Sequence, residues 1–260
     1  MDKHHSLSDV SVILISGAEE HNIRSCLETV AWAGELVVVH SMQVDRTAEI
    51  AREFTPHVFY QPFQGYARQK RAALERASRD WVFSIDADER VTPELQGEIA
   101  EVLAGNPTAD GFYVPRKSFF HGKWIRHMGW YPDYQLRLLR REKTTVTDRL
   151  VHEGFVVDGE RRHLESPLLH FTIPNVRHML EKNLDYARLE AEEKTTRRKV
   201  GVLDVILRPP IAFIQKFVFQ QGFRDGWEGL VLSSIHALNK LQVQLYMWEM
   251  QRPASTPVEQ

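Results

Sequence analysis

The chain has 260 residues, of which 43% are hydrophobic and 26% are charged, as in an ordinary soluble globular protein. Its 33 lysines and arginines nearly balance 35 aspartates and glutamates, and this net charge of -2 gives no support for nucleic-acid binding. The single cysteine, Cys26, excludes an internal disulfide and a zinc site built from several cysteines. These counts favour a globular protein of the reducing cytoplasm.

The first part of the chain alternates short apolar runs with helical patterns. Val10–Ser16 is a continuous apolar run, which is typical of a strand covered on both faces. Further strands are predicted at Glu35–Val39, His57–Tyr60 and Trp81–Ile85. Helices are predicted at His21–Ala33, Asp45–Phe54 and Ala67–Ser78, with Asp45 as an N-cap, and from a Thr92 cap to about Leu103. This alternation predicts an α/β fold with a mostly parallel sheet, helices on both faces, and ligands at the carboxyl ends of the strands.

From Gly111 onwards the pattern changes. Strands are predicted at Gly111–Arg116, Tyr134–Leu139 and Leu164–Phe171, followed by a long charged helix over Asn175–Lys199. From Val202 the chain is aromatic and helical, and Pro209–Pro210 are expected to break it into two helices. We therefore expect a main domain over residues 8–200, a helical region over residues 201–252 and a tail over residues 253–260.

The most informative local feature follows the fourth predicted strand, where Asp86 and Asp88 stand in the segment Ser84-Ile85-Asp86-Ala87-Asp88-Glu89. Two carboxylates at the end of a buried strand lie where an α/β sheet binds its ligands, and hard oxygen ligands suit Mg²⁺ or Mn²⁺. Taken alone, the segment is better explained as an aspartate-rich turn, which is common at strand ends. The rest of the chain changes that balance.

Several segments, in the same order, resemble the family 2 glycosyltransferases, in particular the lipopolysaccharide core-biosynthesis glucosyltransferase group. They are Val10–Ser16, Glu19–Ile23, Val37–Thr47, Gly65–Lys70, Asp80–Val91, Gly129–Leu138 and Val151–Glu153. The resemblance runs from about Val10 to about Gly229. It implies a GT-A fold that transfers a sugar from a nucleoside-diphosphate donor, most simply a UDP-sugar, with the helical region as a C-terminal appendage.

The resemblance also implies a divalent metal site. Asp88, with Asp86 beside it, is the expected ligand of Mg²⁺ or Mn²⁺, which would stabilise the charge that grows on the diphosphate leaving group. The resemblance places Asp86 more specifically at the ribose or at a metal-bound water. His152 is expected to complete the metal site or to contact phosphate, although a structural histidine is the commoner case.

Such enzymes commonly invert the anomeric centre by direct displacement, so a carboxylate must accept the proton of the acceptor hydroxyl. Asp133 is the first candidate, because the aromatic residues Trp130, Tyr131 and Tyr134 could raise its pKa by desolvation. Glu153 is the second candidate. Without the resemblance, a solvated loop aspartate would be the better interpretation of Asp133.

Two basic segments could bind the negatively charged substrates. Arg137, Arg140 and Arg141 form a cluster in which one guanidinium could clamp the diphosphate or an anionic acceptor. A strand edge protected by charge is the plainer alternative. Arg68 and Lys70 open a predicted helix, whose first amides favour anions, and this segment borders the donor nucleotide in the resembling family.

The donor pocket departs from the family pattern. The usual Thr-Lys-Asn-Glu-Glu is replaced by Ser16-Gly17-Ala18-Glu19-Glu20, and the usual Asp-Ser-x-Ser-Thr-Asp by His40-Ser41-Met42-Gln43-Val44-Asp45. His40 thus stands where an aspartate normally accepts hydrogen bonds from the base, and a neutral histidine can accept only one. Ser16, Glu19 and His40 are still expected to line the donor site. We hypothesise weakened or altered donor recognition with the catalytic carboxylates intact.

The C-terminal region carries two apolar helical stripes. The first comprises Ile211, Ile214, Phe217 and Val218, and the second comprises Leu230, Val231, Ile235, Leu238 and Leu241. Helix packing is the default interpretation, and an interfacial helix on a membrane is the alternative. Between Val200 and Trp248 four basic residues face three acidic ones, so this window contains no polybasic anchor. No apolar run approaches the roughly 20 residues that a membrane span needs.

The leading hypothesis is a metal-dependent, inverting glycosyltransferase of the cytoplasm that acts on a lipid-linked saccharide such as lipopolysaccharide core. Peripheral contact with the inner face of the cytoplasmic membrane is left open. The rival is a non-catalytic member that binds glycan or serves as a scaffold, which the altered donor segments suggest. A dinucleotide-dependent oxidoreductase is disfavoured, because no Gly-x-Gly-x-x-Gly follows the first strand.

Overall fold

The computed structural model describes residues 5–147, 154–173 and 175–252. The chain forms two compact units. The first comprises Met1–Ser118 and Pro132–Thr172, and the second comprises Phe119–Tyr131 and Ile173–Gln260. Compactness does not test which residues make up the catalytic domain, so the expected boundary at residue 200 stays a prediction. Residues 253–260, the expected tail, lie outside the described residues.

The strands form one mixed sheet and a separate hairpin. In chain order they are β1 (Val10–Ser16), β2 (Glu35–His40), β3 (Val58–Tyr60), β4 (Trp81–Asp86), β5 (Glu89–Val91), β6 (Gly111–Phe120), β7 (Lys123–Trp124), β8 (Asp133–Arg140), β9 (Thr144–Val146), β10 (Phe155–Val157), β11 (Arg161–His163) and β12 (Leu168–Ile173). The main sheet has the order β3-β2-β1-β4-β8-β6-β12-β5, with β7 and β11 also paired to β6. β9 and β10 form the antiparallel hairpin.

The first four strands are the parallel part of the sheet. β1 pairs in parallel with both β2 and β4, and β2 pairs in parallel with β3. β8 then pairs antiparallel with β4 and with β6, which follows the change of sequence pattern after Gly111. The antiparallel strands therefore bring residues from the second half of the chain to the edge where β4 ends.

Seven α-helices accompany the strands in the part of the chain that the structure describes. They are α1 (Ile23–Glu28), α2 (Thr47–Arg52), α3 (Tyr66–Arg76), α4 (Pro93–Ala104), α5 (Val176–Thr195), α6 (Val202–Ile214) and α7 (Gly226–Met250). Thr92 caps α4 as expected, since its hydroxyl accepts a hydrogen bond from the Leu95 amide at 3.1 Å. This capping fixes where the chain turns after β5.

Both faces of the parallel strands are covered by apolar side chains. On one face Leu14 of β1 and Phe83 of β4 belong to a core shared with Ile23 of α1 and Leu95 of α4. On the other face Ile13 of β1 belongs to a second core with Ala72 and Ala73 of α3. The predicted α/β class, with helices on both faces of a mostly parallel sheet and a helical C-terminal region, is confirmed.

Two predicted helices are shorter than expected. α1 ends at Glu28 instead of Ala33, and the Thr29 hydroxyl there donates to the Cys26 carbonyl at 2.8 Å, which competes with continued helix. α2 begins at Thr47 instead of Asp45, whose carboxylate accepts the Thr47 amide at 3.0 Å from just outside the helix. Side-chain hydrogen bonds to the backbone thus set both limits.

The prediction that Pro209–Pro210 would break the C-terminal helix is wrong. Both prolines lie inside α6, and the helix continues through a π-helical turn at Gln215–Phe219. The real break follows, where Gln221 adopts a left-handed conformation with φ of 59° before the short 3-10 turn Gly222–Asp225. Within the described residues, no helix is both long enough and apolar enough to span a bilayer.

Candidate active site

The register of the parallel strands gathers polar residues at one edge of the sheet. Ser16 is the register partner of His40 on β2, and Ile15 is the partner of Asp86 on β4. Because these strands are parallel, their carboxyl ends meet at the same edge. Ser16, His40 and Asp86 therefore stand on three neighbouring strand ends, as the sequence predicted for a ligand site.

The turn between β4 and β5 holds the two aspartates. Glu89, the first residue of β5, is fully buried, and its carboxylate accepts the Asp86 amide at 3.0 Å. The buried Cys26 thiol donates to the Asp86 carbonyl at 3.4 Å, and burial raises the pKa of this thiol far above its usual range. Arg90 donates to the Ala87 carbonyl at 2.9 Å. These contacts fix the backbone that presents Asp86 and Asp88.

Arg137 of β8 lies buried against two of these carboxylates. Its guanidinium donates to Asp86 at 2.7 Å and to Glu89 at 2.5 Å. Burial alone would raise the pKa of Asp86, but the Arg137 charge and hydrogen bond lower that pKa to about 2. Burial raises the pKa of Glu89 despite the same arginine, and the charge of Asp86 adds to the increase. Arg137 therefore holds Asp86 as a carboxylate. The buried Glu89 side chain contacts both the Arg137 guanidinium and the Asp86 amide.

Asp133, the expected base, is held by an arginine and an amide. Arg116 lies opposite Asp133 across the β6–β8 pair, and its Nε donates to the Asp133 Oδ2 at 2.9 Å. Gln135 donates to the Oδ1 atom at 2.8 Å. An aromatic surrounding was expected for this carboxylate, whereas its hydrogen-bond partners are the polar side chains of Arg116 and Gln135. Arg116 also reaches Glu89 at 3.4 Å, so an unbroken chain of ion pairs joins Asp133 to Asp86.

Asp88 faces a histidine that the sequence analysis did not select. The His170 Nε2 atom of β12 lies 3.4 Å from Asp88 Oδ2, and its Nδ1 atom is hydrogen-bonded to the Ser118 hydroxyl at 3.0 Å. The Phe171 amide donates to the Asp88 carbonyl at 2.8 Å. Asp88 and His170 thus offer one oxygen and one nitrogen ligand side by side, with the imidazole held from behind.

This pair fits a metal that shares its coordination shell with a substrate. Among the described residues, no group of three histidine, cysteine or acidic side chains could hold an ion by itself. Divalent ions such as Mg²⁺ are commonly bound through one or two protein ligands, with phosphate oxygens and water supplying the rest. Asp88 supplies a carboxylate for such a site, whereas the His170 imidazole suits a transition ion such as Mn²⁺ better than Mg²⁺. His152, the expected third ligand, lies outside the described residues, as does Glu153, the second candidate base.

The ends of β1 and β2 and the adjoining α3, where the sugar-nucleotide donor is expected, contain buried polar atoms without hydrogen-bond partners. We call this part of the edge the donor side. Within the described part of the chain, the Ser16 hydroxyl, the His40 Nε2 atom and the Gln69 Oε1 atom are buried and form no hydrogen bond. The His40 Nδ1 atom lies 3.2 Å from the Met42 carbonyl, which can only accept a hydrogen bond. Neutral His40 must therefore carry its proton on Nδ1, which leaves Nε2 as an unused acceptor.

The remaining predicted residues contribute unequally. Glu19 is part of the turn before α1, where its amide donates to the Thr47 hydroxyl at 2.7 Å. Arg68 is exposed and donates to Gln64 at 2.6 Å. Lys70 lies close enough to Asp86 for its charge to help lower the pKa of that carboxyl. Of these three, Lys70 is the one that the electrostatics connect to the aspartates.

The predicted arginine cluster is divided between two places. Arg137 joins the site, but Arg140 pairs with Asp110 at 2.8 Å and Arg141 donates to the Arg79 carbonyl at 2.8 Å. Successive residues of a strand point to opposite faces, so Arg140 cannot share the face of Arg137 on β8. The three arginines are therefore close in sequence but do not form one cluster in the fold.

Three residues of the site were not singled out from the sequence. Glu89 closes the acidic segment, Arg116 lies inside β6, and His170 interrupts the apolar run Leu168–Ile173. The useful signal was a polar residue within an otherwise apolar strand, since a buried polar side chain needs a partner. The sequence alone does not predict the strand register, which brings β6 and β12 to the end of β4.

The chain matches a known protein family. The model of the family described as "Glycosyl transferase family 2" matches residues 11–156, more than half of the chain. The chain belongs to glycosyltransferase family 2. Its membership makes it a glycosyltransferase, and the resemblance drawn from the sequence is confirmed.

Relatives within family 2 include an enzyme of lipopolysaccharide synthesis. The chain is 30% identical over 230 residues to the lipopolysaccharide core biosynthesis glycosyltransferase LpsC of Rhizobium meliloti (strain 1021), covering 85% of each chain. An uncharacterized glycosyltransferase of Rickettsia typhi is 34% identical over 101 residues, or 38% of this chain and 35% of that protein. The first match extends over nearly the whole chain, including most of the second unit.

The solved structures that match the chain do so at lower sequence identity. S. aureus TarS 1-349 in complex with UDP-GlcNAc matches with 13% identity and a TM-score of 0.47, covering 92% of this chain and 90% of that one. Glucosyl-3-phosphoglycerate synthase of Mycobacterium tuberculosis in complex with Mg²⁺ and UDP matches with 17% identity and a TM-score of 0.45, covering 71% of this chain and 78% of that one.

Proposed function

We propose that this family 2 glycosyltransferase is a metal-dependent, inverting enzyme that moves a sugar from a nucleoside-diphosphate donor to a lipid-linked saccharide. One observation carries the proposal above all. The turn after β4 presents a candidate metal-ligand pair, Asp88 with His170, and also Asp86, which a chain of ion pairs through Arg137, Glu89 and Arg116 joins to the candidate base Asp133. A purely structural aspartate turn would not need this arrangement.

The metal would be held by Asp88 and His170, with His152 as a further candidate. When bound, Mg²⁺ or Mn²⁺ supplies a positive charge for the diphosphate oxygens of the leaving group. Asp86, held by Arg137 at 2.7 Å, stays a carboxylate and is available to the ribose or to a water on the metal. Lys70 and Arg137 add positive charge on the same side.

Proton removal from the acceptor hydroxyl is assigned to Asp133. Gln135 holds one carboxylate oxygen and Arg116 holds the other, so the group has a fixed direction before substrate arrives. The Oδ2 atom accepts from two nitrogens of Arg116, whereas Oδ1 accepts from Gln135 and keeps a further lone pair for the acceptor hydroxyl. Glu153 stays the second candidate for this role.

Recognition of the base is assigned to Ser16 and His40. The unused His40 Nε2 acceptor suits a base that carries a ring N–H, such as uracil, and would be poorly matched to cytosine, whose N3 is itself an acceptor. One neutral acceptor is weaker than the family's carboxylate. We therefore infer a UDP-sugar donor that is bound less tightly than in relatives with aspartate at this position.

The acceptor class follows from the relative of known role. The similarity to a lipopolysaccharide core biosynthesis glycosyltransferase over most of both chains supports a growing lipid-linked core saccharide as acceptor. Such an acceptor would place the enzyme at the inner face of the cytoplasmic membrane, because nucleotide sugars are cytoplasmic.

The test is release of the nucleotide from UDP-sugars, with and without acceptor, across a titration of Mn²⁺. Turnover should disappear with chelator, and His170→Ala should raise the Mn²⁺ requirement at least about tenfold. His163→Ala, which removes an exposed histidine of β11, serves as the matched control. If no sugar nucleotide is turned over at any Mn²⁺ concentration, the non-catalytic rival is favoured instead.

A further inference from the structure

Helix α6 exposes apolar side chains along one side of its length. The exposed side chains are Val202, Leu203, Ile206, Leu207, Ile211 and Ile214, with exposed fractions between 46% and 74%. Their spacing of three and four residues places them together on about half of the helix circumference. We call these six residues the α6 face. In the stripe beginning at Ile211, Ile211, Ile214 and Val218 are exposed, which favours the interfacial alternative over helix packing.

The orientation of the α6 face is fixed by packing on the other side of the helix. α6 packs against α7, and Ala212 is the buried residue of α6. At the N-terminus, Arg198 donates to Asp204 at 3.0 Å and to Gln244 of α7 at 2.6 Å. Packing against α7 therefore fixes which side of α6 contacts the protein, and the α6 face is exposed to solvent.

Exposed aromatic side chains follow the α6 face along the chain. Phe219, Phe223 and Trp227 are 77%, 53% and 73% exposed. Large exposed apolar surface of this kind marks a site of interaction. Tryptophan with its polar N–H is typical of the boundary between water and the apolar part of a bilayer.

The charge around the α6 face is positive. Between residues 197 and 227 there are six basic and two acidic residues, giving a net charge of +4 in a chain whose total is -2. Lys199 is exposed just before the helix and Arg224 beyond its end, and Arg197 is exposed and pairs with Glu193 at 2.9 Å.

This charge distinguishes between two possible occupants. A second copy of the chain, related by a two-fold axis, would bring two segments of charge +4 together, and like charges at an interface are costly. An anionic lipid surface has the opposite sign and attracts exposed lysines and arginines. The apolar residues between the basic ends would then enter the upper part of the acyl chains.

The two prolines are consistent with a helix at this depth. Proline has no amide hydrogen, so Pro209 and Pro210 leave the carbonyls of Val205 and Ile206 without their usual helical donors. Such carbonyls need water, which is present among lipid headgroups and absent from a dry protein interface. A helix lying in the headgroup region keeps them hydrated.

We propose that the α6 face, with the exposed aromatics that follow it, docks the protein on an anionic lipid bilayer. The docking uses apolar insertion between basic residues and does not involve a membrane span. The inference deepens the proposed function, since a lipid-linked acceptor requires access to the membrane, but it is argued from the surface itself. The two can therefore fail separately.

The experiment is sedimentation of the protein with vesicles of phosphatidylcholine alone or of phosphatidylcholine mixed with the anionic lipid phosphatidylglycerol. We expect binding to the anionic vesicles that weakens, but persists in part, at high salt. Leu203→Glu with Ile211→Glu should reduce partitioning by more than about tenfold, because each change places a charge in the apolar contact. Arg197→Gln, Lys199→Gln and Arg224→Gln together should also reduce it by about tenfold or more.

Leu189→Glu is the matched control. Leu189 is 61% exposed on α5, where acidic residues outnumber basic ones, and its substitution should leave vesicle binding unchanged. Circular dichroism and thermal unfolding establish that all variants are folded. Wild-type protein that stays in the supernatant with both vesicle types overturns the proposal. So does a dimer in solution that Leu203→Glu with Ile211→Glu dissociates, since that result assigns the face to a second copy.

Turnover of UDP-sugar without acceptor separates this inference from the proposed function. The Leu203→Glu, Ile211→Glu variant should retain it, because neither residue belongs to the catalytic site. Vesicle binding without any turnover would instead refute the proposed function and leave the docking surface intact.

Discussion

The two sides of the sheet edge differ in how their polar groups are satisfied. On the acidic side, Asp86, Glu89 and Asp133 are paired with Arg137 and Arg116. On the donor side, the Ser16 hydroxyl, the His40 Nε2 atom and the Gln69 Oε1 atom are buried without partners among the described residues. Buried polar groups are normally hydrogen-bonded, so an unmet group calls for a partner such as a water, an ion or a ligand. The acidic side is therefore arranged in advance, whereas the proposed donor side has hydrogen-bonding capacity to spare.

The largest effect is expected from Asp133→Asn. The substitution keeps the size of the side chain but removes the proton acceptor, so kcat should fall by roughly 10²- to 10⁴-fold while the Kd for UDP-sugar changes little. Kinetics and calorimetric titration measure the two quantities. Asp110→Asn is the control, because it removes another aspartate–arginine pair at the opposite end of β6 and β8. Retained turnover would reassign the base, with Glu153 next in line.

The stability of the fold should also depend on the ion pairs of the acidic side. Glu89 is buried between Arg137 and Arg116, so Glu89→Ala leaves two arginines without a shared partner and should lower the free energy of unfolding by about 3–5 kcal/mol. Glu89→Gln keeps part of the hydrogen bonding and should cost less. Urea denaturation compares both with Glu94→Gln, an exposed change on α4. A Glu89→Ala protein as stable as the control would show that the network is dispensable.

The donor side should respond with a smaller change, confined to nucleotide affinity. His40→Leu removes one neutral acceptor and should raise the Kd for UDP about fivefold, while His40→Asp restores the family residue and should lower it. Wild-type protein should bind UDP more tightly than CDP, because cytosine presents no ring N–H to His40. Titration calorimetry with Mn²⁺ measures each value. Equal affinity for both nucleotides in wild type would remove His40 from base recognition.

The smallest effect concerns stability at low pH. The pKa of Asp86 is lowered from 3.8 to about 2 in the folded protein. A carboxyl with a lowered pKa stabilises the fold fully above its unfolded pKa, and this stabilisation is lost as the pH falls from about 4 through about 2. The Asp86 side chain is 38% exposed, so water screens part of the effect. Asp86→Asn should therefore lose less stability than wild type over that interval in urea denaturation, whereas the exposed Asp185→Asn should follow wild type.

The sequence predicted the strand ends better than it predicted the contacts between them. The strand Val10–Ser16 and the helix cap at Thr92 were predicted from local sequence and are confirmed. A strand buried on both faces is a continuous apolar run, and a helix cap is a specific residue type before the helix, so both can be recognised locally. Arg116 and His170 reach the site through β6 and β12, whose register depends on the whole sheet. Pro209 and Pro210 failed as helix breakers because packing of α6 on α7 outweighed their local cost.

The buried thiol beneath the aspartate turn has a practical consequence for spectroscopy. Cys26 is the only cysteine of the chain, it is fully buried, and its pKa is raised, so little thiolate is available to react with alkylating dyes. A second cysteine placed at an exposed position, such as Val44→Cys in the loop between β2 and α2 at 71% exposure, would then be the one reactive sulfur. A fluorophore attached there could report nucleotide binding in the otherwise native protein.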